Sequence, residues 1–377
     1  MTRRTLISSG VAATALVFAL TGCSSPTGAA EGGSGATADP ATATSAADLG
    51  GMDALIAAAQ EEGQLNIIAR PDSWANYGKI IEGFEEKYDI TVNSASPDVS
   101  SAEEIQAAEN LKGQDTAPDV FDLGTAVALE STDSFAPYQV ETWADIPAEN
   151  KEPSGLWVNN YTGIMSIGVD TDKLTAPAAL TDLLKDEYRG SVAINGDPTQ
   201  AGAAFAAVGL ISEQHGGSVA DFGPGVDFVA ALNAAGNFLT VDPTPATIAS
   251  GETPVVFDWS FNNIAEQANK PSWKTVVLDG PSYVSFYNEA INKDAPNPAA
   301  ARLWQEWILS DEVQNLYLEA NAMPVRLAAM QDAGTADETL VDAAGLGSDP
   351  ATWVTADAKE TAAANTLLAE RWPAAIR

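Results

Sequence analysis

The sequence predicts an α/β protein with two lobes around a cleft, and three observations carry that prediction. Strands and helices alternate from Met52 to Leu123, a second α/β unit starts near Tyr188, and extended segments at Trp157–Val169 and Ser282–Ile291 stand between the units. Strand–helix–strand order implies a parallel sheet with right-handed crossovers. Open α/β sheets hold ligands beyond the carboxyl ends of their strands, so two such units suggest a ligand enclosed by hinge closure.

The elements follow in order. Met52, Leu55, Ile56 and Ala59 recur at helical spacing, and Gly63 stops that helix. Leu65–Ala69 is a β-type run. Tyr77, Ile80, Ile81, Phe84 and Tyr88 mark the next helix face, and Ile90–Val92 the next strand. Ser101-Ala102-Glu103-Glu104 fits a capping box, turning Ile105, Ala108 and Leu111 inward. Asp119–Leu123 is a third strand. In the second unit Ser191–Asn195 is a strand, and Asp197-Pro198 opens a helix that ends at Gly216-Gly217. Val255–Phe257 is a strand with a helix from about Phe261. Trp273–Leu278 is extended, and Asn297-Pro298 starts a helix burying Leu303, Trp304, Trp307 and Ile308.

The N-terminus sets the compartment. Arg3 and Arg4 precede an apolar stretch, Leu6–Leu20, that is short for a membrane span of ~20 residues and reads as a signal peptide. Leu20-Thr21-Gly22-Cys23 resembles the lipobox of bacterial lipoproteins, which makes Cys23 the lipidation site. Thr2-Arg3-Arg4 leaves the export route, general secretory or twin-arginine, open. Residues 24–49 are nearly all Ser, Thr, Gly, Ala, Pro and Asp, with no hydrophobic period. Such a segment reads as a flexible tether.

Composition narrows the chemistry. There are 52 acidic residues against 18 basic, a net charge of −34. So acidic a surface repels nucleic acid and anionic lipid and keeps the protein soluble. The pairs Glu61-Glu62, Glu85-Glu86 and Glu103-Glu104 read as solvated helix faces. Cys23 is the only cysteine and His215 the only histidine, and His215 falls at a helix C-terminus. No Cys/His metal spacing, GxSxG or Walker-type loop is present, so neither a metal nor a cofactor is expected, nor an enzyme. Two carboxylates suffice for a glycosidase, so an exported hydrolase is the rival class.

Several stretches together resemble one family. Leu55–Leu65 resembles its opening helix and first strand, and Ala117-Pro118-Asp119-Val120 its third-strand entry. Ser166–Leu174, Leu180–Leu184 and Tyr188–Val192 resemble its entry into a second lobe. Ala295–Ala301, Leu309–Gln314 and Met323–Arg326 resemble its return. The family is the type II solute-binding proteins of ABC importers, in the branch of ferric-iron, spermidine/putrescine, thiamine and 2-aminoethylphosphonate binders. The resemblance implies a signal peptide at 1–22, a lipidated linker at 23–51, lobe 1 from 52–137 and 283–326, and lobe 2 from 138–282 and 327–377. It implies chain crossings near 138–165 and 279–285. It further implies a monomer, lipid-anchored outside the cell, that passes a small solute to a permease and its ATPase.

The residues expected at the solute are Trp74, Thr125, Tyr161, Asp197, Thr199, Asp258, Trp259 and Tyr287, with Arg70 as a possible anion contact. Ferric binders resemble one another in having adjacent tyrosines where this chain has Asp258-Trp259. A carboxylate beside an indole suits an amine, through charge pairing and a cation–π contact of ~0.5–2 kcal/mol. The alternative reading is an anion or a zwitterion such as an organophosphonate, held by Arg70 and the helix start at Asp197-Pro198-Thr199.

Overall fold

The computed structural model describes residues 38–344 and 350–377. The signal peptide and Cys23 lie outside the described residues. The spacer does not wholly do so: its end, residues 38–51, is ordered rather than a flexible tether. Ala43, Ala46 and Leu49 are buried in the core. Arg302 donates from Nε to the Ala43 carbonyl at 2.8 Å and from Nη2 to Ala41 at 3.1 Å. Small residues escape a hydrophobic-period reading, yet they fit closely against a helix.

The chain forms two lobes. In one, the helices Met52–Glu62, Tyr77–Tyr88 and Pro298–Ile308 surround the parallel strands Gln64–Ile68 and Thr91–Ala95. Glu62 accepts from the amides of Ala299 and Ala300 at 3.0 and 2.8 Å, placing negative charge at the start of Pro298–Ile308. That helix buries Leu303, Trp304, Trp307 and Ile308 as its apolar period requires. The expected parallel third strand pairs otherwise. Val120–Gly124 runs antiparallel to Ser282–Asn292 and touches the first strand through Asp119, which accepts from Asn66 N at 2.6 Å.

In the other lobe, Val192–Ile194 pairs parallel with Val255–Trp259. The helices Gly202–Gln214 and Gly223–Ala235 pack beside them. His215 caps the first of these, its ring edge-on to Phe228 at 5.0 Å.

Two long strands join the lobes. Val158–Asp170, buried along its whole length, pairs antiparallel with Ser282–Asn292, with an irregularity between Asn159 and Thr162. Its later half pairs with Val255–Trp259 and Trp273–Val276. Gly168 is obligatory here, because a Cβ would fall 2.1 Å from Asn263 Oδ1 and 2.3 Å from the Trp273 ring.

Residues 327–377 do not all pack on the second lobe. Asn315, in the helix Asp311–Glu319, donates to the Thr335 carbonyl and accepts from Asp337 N, both at 2.8 Å. The final helix, Ala358–Ala375, does lie against Gly223–Ala235.

Candidate functional site

A cleft of about 370 Å³ opens where the strand ends of the two lobes converge. From the first lobe it is walled by the loop after Gln64–Ile68, the start of the helix Ser101–Asn110 and Asp122. From the second it is walled by residues 195–197, 200–203 and 242–245, by Ile248 and by the helix Ser260–Asn269, and Tyr287 also lines it.

The loop at 69–76 carries Trp74 to this wall in a strained backbone. Ala69, Ala75 and Asn76 have φ of 57°, 46° and 70° without being glycine. Trp74 is half-buried, donates from Nε1 to Tyr161 Oη at 2.7 Å, and meets Tyr287 edge-on at 5.7 Å. Tyr161 lies behind the wall. It is fully buried, stacks on Tyr317 at 4.6 Å and donates to Asp122 Oδ2 at 2.8 Å. It therefore positions two lining residues without lining the cleft itself.

Asp258 lies on the wall, 8% exposed. Oδ1 accepts from Trp259 N at 2.7 Å and Asn262 Nδ2 at 3.2 Å. Oδ2 accepts from Asn195 Nδ2 at 2.9 Å and Asn262 Nδ2 at 3.1 Å. Burial nevertheless pushes its pKa up to about 7, with these donors opposing. Trp259 itself turns inward. It is 1% exposed and donates from Nε1 to Tyr287 Oη at 3.1 Å, so the expected indole platform beside Asp258 faces the core.

The anion-binding reading loses its donors. Arg70 is fully buried, paired with the equally buried Glu289 at 2.7 Å, and its guanidinium lies 5.5 Å from the Tyr77 ring. It is a core ion pair. The helix expected from Asp197-Pro198 begins instead at Gly202. Asp197 Oδ1 accepts from Thr199 N at 2.8 Å and from Thr199 Oγ1 at 2.6 Å, which closes a separate turn. Asp197 lines the cleft, whereas Thr199 is exposed outside it. Thr125 is likewise off the cleft, donating to the Phe286 carbonyl at 3.0 Å from the first turn of its helix.

Sequence reasoning missed the first lobe's carboxylates. Glu104, expected on a solvated face, is fully buried and lines the cleft. The capping box is set one residue earlier, with Ser100 N donating to Glu103 Oε2 at 2.8 Å. That register turns Ser101, Glu104 and Ala108 inward. Their i, i+3, i+7 spacing was a readable signal. So was Asp122, an acid inside the apolar run Val120-Phe121-Asp122-Leu123.

Eight carboxylates line the cleft: Asp98, Glu103, Glu104, Asp122, Asp197, Asp242, Asp258 and Glu266. No Lys, Arg or His stands among its described lining residues. Such a site presents acidic groups and hydrogen-bond acceptors to whatever enters it, with burial raising the pKa of Glu104, Asp122, Asp258 and Glu266.

Residues 118–344 match the family of bacterial extracellular solute-binding proteins. No curated protein matches by sequence. Among solved structures, the substrate-binding protein of an ABC transporter from Agrobacterium tumefaciens is similar with a TM-score of 0.67 at 16% identity, over 83% of this chain and 94% of that one. The periplasmic binding protein AfuA from Actinobacillus pleuropneumoniae, with fructose-6-phosphate bound, gives 0.66 at 18%, over 84% and 99%. The spermidine/putrescine transporter's substrate-binding protein PotD from Streptococcus pneumoniae gives 0.58 at 16%, over 83% and 99%. At such identities these likenesses establish the two-lobed fold.

Proposed function

This chain belongs to the bacterial extracellular solute-binding proteins, transport proteins rather than enzymes, and from that premise we propose that its solute is a cation bearing a protonated amine. A polyamine is included in that class. The observation that carries the reading is the lining of the cleft: eight carboxylates and no basic side chain among the described residues. A phosphate or carboxylate entering there would meet like charge with no cationic donor to offset its desolvation. A protonated amine meets acceptors on both walls. Trp74 and Tyr287 add partly apolar surface for its carbon chain.

The same reading extends to the whole chain. Lipidation at Cys23 tethers the protein to the outer face of the membrane. The two lobes close over the solute about the strands Val158–Asp170 and Ser282–Asn292, and the closed form docks on an ABC permease as a monomer. The expected chain crossings near 138–165 and 279–285 overlap the starts of these two strands, which supports a hinge there.

A thermal-shift screen of primary amines, polyamines, aminophosphonates and sugar phosphates tests the solute class. A specific ligand raises the melting temperature by linkage, about 2.7 kcal/mol of stabilisation at a hundredfold excess over Kd. The expected result is stabilisation by one or more amines and none by sugar phosphates. Stabilisation by an organic anion alone would overturn the reading.

A further inference from the structure

We propose that Glu104 and Asp122 form a distinct subsite in the floor of the cleft, separate from Asp258, that takes an N–H-bearing ammonium group of the solute. The inference rests on the cationic-solute reading and deepens it. Asp258 accepts four hydrogen bonds on its two oxygens, from Trp259 N, Asn195 Nδ2 and, twice, Asn262 Nδ2. Glu104 and Asp122 are differently placed. Glu104 Oε2 accepts from Asp122 N at 3.0 Å, and Asp122 Oδ2 accepts from the hydroxyls of Tyr77 and Tyr161, each at 2.8 Å. These bonds fix both carboxyl groups. Glu104 Oε1 and Asp122 Oδ1 are left with no donor at all.

The charge balance points the same way. The nearby cation is Arg70, and its short contact goes to Glu289 rather than to either of these carboxylates. The remaining groups packed around the pair, Tyr77, Tyr161, Tyr287 and Tyr317, are neutral phenols. One guanidinium thus stands against three buried carboxylates. Glu104 is 0% and Asp122 4% exposed, and burial raises the pKa of both. A buried carboxylate without a donor is costly unless a proton or a cation supplies one.

Two buried acceptors without donors, on carboxyl groups linked by the Asp122 N to Glu104 Oε2 bond, suit an ammonium, whose N–H groups are donors only. A metal is the poorer fit, because the described residues contain no group of three or more His, Cys, Asp or Glu able to hold an ion. Access comes with opening. The lobes meet close by in the chain, where Ala102 N, two residues before Glu104, donates to the Gln200 carbonyl at 3.3 Å and the backbone of Gly124, two residues after Asp122, touches that of Gly202. Closure therefore seals the ammonium at the floor.

The test is calorimetric titration of the purified protein with ethanolamine, butane-1,4-diamine, spermidine and 2-aminoethylphosphonate, and with the N-permethylated form of each. Wild type is compared with Glu104→Gln and Asp122→Asn. The expected result is that at least one primary amine binds and its permethylated form binds at least tenfold more weakly. Each variant should also lose at least tenfold. Ligand-free Glu104→Gln should melt at or above wild type, because it removes a buried acid whose Oε1 has no donor; a purely structural Glu104 would instead lower the melting temperature. If an amine binds wild type and both variants bind it within twofold, the subsite is overturned and the cationic-solute reading stands. If the permethylated form binds as tightly as the amine, the hydrogen-bonding role is overturned. If no amine binds, both inferences fall together.

Discussion

Replacing Asp258 by Asn separates the charge on the second lobe from the shape that carries it. The side chain is nearly isosteric and can keep accepting from Trp259 N, bonded at 2.7 Å. What disappears is a buried negative charge facing the cleft. A cation one amide layer away, at ~5.5 Å with an effective dielectric of ~20, gains about 3 kcal/mol from that charge. Its loss corresponds to a fall in affinity of roughly 150-fold. The free protein should respond in the opposite sense. Burial raises the pKa of Asp258 from 3.8 to about 7. The folded state therefore holds a proton that the unfolded state has released, and the stability contribution falls as pH rises from about 4 to about 7. At ~1.4 kcal/mol per unit, keeping Asp258 ionised at pH 8 costs about 4 kcal/mol. The variant removes that cost but turns a new amide toward the donors of Asn195 and Asn262, losing about 1 kcal/mol. Ligand-free Asp258→Asn should therefore be about 3 kcal/mol more stable than wild type at pH 8, with no gain at pH 4. Titration calorimetry with the amine returned by the screen, and melting curves at both pH values, measure the two effects. Affinity within twofold of wild type, under ~0.5 kcal/mol, together with a pH-independent melting difference, would leave Asp258 as a structural acceptor only.

Other buried carboxylates extend the pH argument. Burial raises Asp119 and Glu306 each to about 7 and raises Glu289 as well, so wild-type stability should fall as pH rises from about 4 to about 7; a melting temperature that rises over that range would contradict it. Gly202→Ala sets a Cβ 2.9 Å from Gly124 Cα, where the lobes touch. It should hold the lobes apart, weaken solute binding about tenfold (~1.4 kcal/mol) and leave the ligand-bound radius of gyration larger than wild type in small-angle scattering. An unchanged radius with unchanged affinity would show that this contact does not control closure. Cys23→Ala should yield unprocessed precursor or release the protein into the medium. Recovery of a mature-sized, acylated Cys23→Ala protein in the membrane fraction would refute anchoring at that cysteine.

The elements and their order were readable from the chain, because apolar periodicity records which face of each segment is buried. The helices Met52–Glu62 and Tyr77–Tyr88 start and stop where the periodicity and Gly63 place them. The long extended segments became Val158–Asp170 and Ser282–Asn292. Asp258 drew notice as a candidate because it follows the apolar run Val255–Phe257 just before a helix, and it does stand on the cleft wall. Charge balance at the site was not legible, because net charge says nothing about which carboxylates face one another. Only the tertiary structure withdrew Arg70 into its ion pair with Glu289, turned Trp259 inward to Tyr287, and moved a helix start from Pro198 to Gly202. Each outcome depends on a partner far away in the chain. Glu104 shows the limit most directly. Glu104 stands one helical turn before Ala108, on the face the apolar spacing already turns inward, and only the fold brings that turn to the cleft instead of to solvent.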